Sequence, residues 1–124
     1  MTTPAITTLV VGGTHAAREA AIAAALQAGQ HSAVILEGLP DGKSGSPLGT
    51  ALPPDDIRRI APGCLCCAGN LTMRVTLNRV LRHPPQRLFI SLANSEHLQA
   101  IRAFLATPSY QPLLTLTADL HISS

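Results

Sequence analysis

Ile6-Thr7-Thr8-Leu9-Val10-Val11 runs straight into Gly12-Gly13-Thr14, and an alanine-rich stretch then continues to Ala28 before Gly29. A short apolar, β-branched run bounded by glycines reads as a buried strand. Thr14 is placed to cap a helix N-terminus, and alanine has the highest helix propensity. The segment is therefore strand, tight turn, helix, with Gly29 as the residue after the helix end. Ile22 and Leu26, four apart, would share one face.

Working outward, residues 33–36 form a second apolar strand, with Glu37 at its carboxyl end. Residues 38–54 are rich in Gly and Pro and read as a long loop, and loops of this length are usually functional or disordered. Residues 57–61 suggest a short edge strand, stopped by Pro62-Gly63. The apolar spacing of Leu71, Val75, Leu77, Val80 and Leu81 predicts a helix to Arg82, with Pro84-Pro85 as its stop. A buried strand over 88–93, a helix over 96–105 and a last strand over 113–120 complete the order. Strands alternating with helices predict an α/β fold: three layers, with helices flanking a mostly parallel sheet. In such sheets ligands bind beyond the carboxyl ends of the strands. The Gly12 turn, Glu37 and the turn at Asn94 all fall there.

Composition bounds the function. The chain has 124 residues, enough for one domain. Hydrophobic residues are 46% and aromatic ones 2%, so the core is aliphatic. A net charge of +2 with no basic run argues against nucleic acid as a partner. No apolar stretch approaches the roughly 20 residues that span a bilayer, and no signal-peptide pattern is evident. The expected setting is cytoplasmic.

Gly63-Cys64-Leu65-Cys66-Cys67 holds every cysteine of the chain within four positions. Thiolates favour soft and borderline metals, and tetrahedral zinc takes four ligands. In extended backbone Cys64 and Cys66 point the same way, and a turn is needed to bring in Cys67. The fourth ligand would be Glu37, one of the five histidines (His97 is best placed), or a thiolate of a second chain. Inert packing and a redox role are the alternatives.

The Gly12 turn has the layout of a phosphate loop but little of its chemistry. Aligned on Gly12, the Walker A pattern places Ala17, Arg18 and Glu19 where Gly, Lys and Ser or Thr belong. Glu19 would set a carboxylate where a hydroxyl binds magnesium. Gly12, Gly13, Thr14 and Arg18 are the candidate nucleotide contacts, and a plain turn with no ligand is the stronger reading.

These residues converge on a resemblance. The cysteine segment, followed by Gly69-Asn70-Leu71 and a helix, looks like the Gly-Cys-x-Cys-Cys segment and trailing Gly-Asp-Leu of CobW-type metallochaperone GTPases. The chain resembles the N-terminal part of that family in layout. The resemblance implies a P-loop-NTPase-like partial core, with Cys64, Cys66 and Cys67 as metal ligands and Glu37 in an acidic switch segment. Residues 1–124 would be a single such domain, without the rest of the GTPase core or the C-terminal domain. The departures are as informative. After the third strand the family has an acidic residue and a Thr-Thr/Ser-Gly turn, where this chain has Ser91-Leu92-Ala93-Asn94. No Asn-Lys-x-Asp motif occurs in the sequence.

The resulting expectation is a degenerate CobW-like domain that binds a divalent metal, zinc first, and is not an enzyme, with GTP not expected as a cofactor. Its partners would be the metal ion and either a client metalloprotein or a full-length relative. Two alternatives stand: an interaction or dimerisation module with relic cysteines, and a residual nucleotide binder.

Overall fold

The computed structural model describes residues 4–27, 29–37, 52, 56–60, 70–93 and 98–122. The elements are β1 (Ala5–Val11), α1 (His15–Ala25), β2 (Ser32–Glu37), β3 (Ile57–Ile60), α2 (Asn70–Arg82), β4 (Arg87–Ser91), α3 (Leu98–Leu105), β5 (Leu114–Leu116) and β6 (Leu120–His121). The strands lie in the order β3-β2-β4-β1-β5, and β6 also pairs with β1. Every pairing is parallel. The expected three-layer α/β fold is what forms.

Side-chain alternation divides the core between the two faces of the sheet. Leu9, Ile35 and Ile90 face α2 and α3, where they meet Met73, Leu77, Val80, Leu98, Ile101 and Leu105. Val10, Val34 and Phe89 face the other way, onto Ile22 of α1. Every residue of β2 is buried, as a parallel strand covered on both faces requires. β3 lies at the edge, as its short run suggests, with Arg58 and Arg59 exposed.

Two boundaries differ from the sequence reading. Helix α1 ends at Ala25, and Leu26 turns extended and packs into the smaller cluster. Gly29, at φ +85°, serves a separate turn in which the Gln30 N–H donates to the Gln27 carbonyl at 3.3 Å. The last strand is two. Leu116 lies beside Thr7 and Leu120 beside Val10, so four steps on one strand match three on β1. That extra residue is a bulge, which locally redirects the chain. Here the Thr117 N–H still donates to the Thr7 carbonyl at 2.9 Å, and the Asp119 carboxylate accepts from Arg102 of α3. The remaining boundaries agree to within a few residues. Most of the 38–54 loop lies outside the described residues.

Candidate functional site at the carboxyl rim of the sheet

Because β1, β2 and β4 are parallel neighbours, Val11, Glu37 and Ser91 end at one rim. β1 leaves through Gly12 and Gly13, both left-handed at φ +88° and +62°. Thr14 then caps α1, its Oγ1 accepting from the Ala17 N–H at 3.0 Å. A Cβ on Gly12 would stand 2.6 Å from the Ile122 carbonyl oxygen. The chain after β6 is held there by the Ile122 N–H, which donates to the Val11 carbonyl at 2.8 Å. Gly12 is thus required both by its backbone angle and by the segment that follows β6.

Arg18, one turn into α1, is 3% exposed. Its side chain reaches back under the turn. Nη1 donates to the Gly12 carbonyl at 2.8 Å and the Gly13 carbonyl at 2.9 Å, and Nε donates to Ser91 Oγ at 3.0 Å. Nη2 lies 2.9 Å from His15 Nδ1. A guanidinium has only donors, so Nδ1 is the acceptor and the His15 proton sits on Nε2. Burial pulls the Arg18 guanidinium below its ordinary value, and the charges of Glu19 and Glu37 oppose that shift.

Both carboxylates are themselves buried. Glu19 Oε1 accepts from Arg59 Nη2 at 3.2 Å, joining α1 to the edge strand β3. Glu37 Oε1 accepts from the Ala93 N–H at 3.0 Å, joining the ends of β2 and β4. The rim therefore gathers Gly12, Gly13, Arg18 and Glu37 in one region. Cys64, Cys66, Cys67, Asn94 and His97 lie outside the described residues. Among the described residues, no group of three or more His, Cys, Asp or Glu side chains could hold a metal ion. His31, paired with Asp56 at 3.1 Å, and His83 line a separate cleft near the start of β2.

Sequence reasoning did not anticipate that Ser91 receives Arg18, that Arg59 meets Glu19, or that Ile122 covers Gly12. The available signal was three ionisable groups, at 18, 19 and 37, in otherwise apolar segments.

The fold and rim are those of a parallel α/β domain with a glycine turn feeding its first helix. No protein-family model matches the chain, and no solved structure matches it. Over 67 residues it is 39% identical to a protein described as the zinc chaperone YeiR of Escherichia coli (strain K12). The matched stretch covers 53% of this chain and 20% of that protein. The chain is thus a partial relative of a zinc chaperone and spans much less than that protein's full length. No helix among the described residues is long and apolar enough to cross a membrane.

Proposed function

We propose that this chain is a zinc-handling module of the cytoplasm that binds the ion through Cys64, Cys66 and Cys67 and does not hydrolyse GTP. The observation that carries the reading is the 39% identity to a zinc chaperone over 67 residues. The donor set supports it, because three thiolates suit zinc and leave one tetrahedral position for a further ligand. Glu37 is the candidate fourth ligand, from the carboxyl end of β2. Zinc is here the cargo, handed to a client metalloprotein. The resemblance to the CobW-type proteins is the finer form of the same reading.

Loss of hydrolysis is supported by the residues at the turn. Phosphoryl transfer works by positioning and by charge neutralisation from a lysine and magnesium. At the corresponding places stand Arg18, committed to the turn's own carbonyls, and Glu19, a carboxylate bonded to Arg59.

The test is zinc stoichiometry and affinity of the reduced protein, beside a Cys66→Ser, Cys67→Ser double variant. One tightly held zinc per chain, lost in the variant, is the expected result. A folded wild-type protein with no zinc affinity would overturn the metal reading. Phosphate release from GTP above a heat-killed control would overturn the non-enzymatic half.

A further inference from the structure

We propose that the turn after β1 is a cation site rather than an anion site, and that its resident cation is the chain's own Arg18 guanidinium. This goes beyond the zinc reading and rests on the geometry around Arg18; Glu37 is the one residue the two share.

A phosphate-binding turn works by aiming backbone N–H groups at the anion, helped by the positive end of the following helix. Here the polarity facing Arg18 is reversed. The carbonyls of Gly12 and Gly13 converge on one guanidinium nitrogen, at 2.8 and 2.9 Å. Ser91 Oγ and His15 Nδ1 supply two further acceptors, at 3.0 and 2.9 Å. A guanidinium carries five N–H groups in a planar fork. Four acceptors drawn from β1's turn, α1 and the end of β4 meet that fork together.

The field around the site has the matching sign. Glu19 and Glu37 are both buried and both favour the charged form of Arg18. A buried charge is costly unless its polar hydrogens are satisfied; here Arg18 makes four hydrogen bonds to neutral acceptors, and the carboxylates of Glu19 and Glu37 act on it as nearby charges. An entering oxyanion would have to displace the guanidinium and would then face two carboxylates and two carbonyls. Triphosphate is excluded by occupancy and by charge. Lysine is no substitute, because a compact ammonium cannot reach four acceptors laid out for a planar fork.

The site can be emptied and refilled. In the 124-residue chain, Arg18→Ala should lower Tm by roughly 10–20 °C, as breaking a buried, hydrogen-bonded charge network does. Millimolar ethylguanidinium should restore part of that loss, while ammonium at the same concentration should not. Inorganic phosphate and magnesium GTP should leave the wild-type Tm unchanged. The proposal is overturned if ethylguanidinium does not raise the variant's Tm, if ammonium serves equally well, or if phosphate stabilises the wild type.

Should Arg18→Ala fail to fold, the wild-type protein still decides. With 15N-labelled arginine, the Arg18 Nε–H, identified by its shift in Ser91→Ala, should exchange slowly with water and ignore added phosphate. Exchange as fast as that of exposed arginines, or a shift on adding phosphate, would refute the site. These readouts report cation occupancy and would stand or fall regardless of whether the cysteines hold zinc.

Discussion

Two glycines with nearly the same backbone angle have different tasks. Gly12 (φ +88°) has the Ile122 carbonyl 2.6 Å from where a Cβ would sit, whereas Gly29 (φ +85°) has open space. Gly29→Ala should cost about 1 kcal/mol, the strain of a left-handed non-glycine residue. Gly12→Ala should cost several times that, since backbone cannot yield as a side chain can. Urea denaturation of the two variants measures the difference, and equal losses would mean that the Ile122 contact is not maintained. This is also where legibility by residue ends. A glycine pair before a capping threonine marks a turn from local sequence alone. Its tight neighbour lies more than a hundred positions away, and no local pattern encodes it. Arg18 is similar: its helix position follows from the alanines around it, but its partners at Ser91 and Gly12 depend on how β4 and β1 pair.

Elements were legible where burial alone sets them. β2 and β4 carry unbroken apolar runs, residues 33–36 and 88–90, because α1 covers one face and α2 and α3 the other. Boundaries governed by tertiary contacts were not legible. α1 stops where Leu26 turns extended and packs, partly buried, against the smaller cluster, and the last strand is interrupted where Asp119 meets Arg102. One tie between elements has a pH dependence. The Tyr110 hydroxyl donates to Asn78 Oδ1 of α2 at 2.9 Å, anchoring the turn that leads into β5. Burial raises its pKa above the ordinary 10.0, and the charge of Arg74 partly opposes this. The folded state therefore holds the phenolic proton more tightly than the unfolded state does. That contribution is complete below the ordinary tyrosine pKa and fades as pH rises through the folded value. Tm against pH should accordingly fall more steeply on the alkaline side in wild type than in Tyr110→Phe. Parallel curves would show that Tyr110 is not the group responsible.

The whole molecule is lopsided. The face under α2 and α3 draws aliphatics from both helices, whereas α1 contributes Ile22 as its fully buried aliphatic, beside the buried polar side chains of Arg18 and Glu19. Truncating either Ile22 or Leu77 to Ala should cost about 2–5 kcal/mol. The patterns of loss should differ. Ile22→Ala should release α1, so that its amides exchange faster than those of α2, whereas Leu77→Ala should lower protection across the sheet. Uniform acceleration in both variants would mean that α1 and the sheet open as one unit. Such asymmetry was partly visible beforehand, since an alanine-rich helix has little to bury. The candidate metal segment was visible too, as clustered cysteines, but its meaning depends on contacts that a linear spacing does not contain.

The strand order has a consequence in time. β1 is made first, yet in the finished sheet it lies between β4 and the β5–β6 pair. While the ribosome is still adding residues, both its edges stay open: one until β4 has been synthesised, the other until residues 114–121 emerge. Until residues 114–121 have followed it, β1 therefore keeps an unpaired edge, the kind of transiently exposed strand that is prone to aggregate. The Ile122 contact over Gly12 is the last of these closures, so the turn that holds Arg18 reaches its final form only after residue 122 has been made.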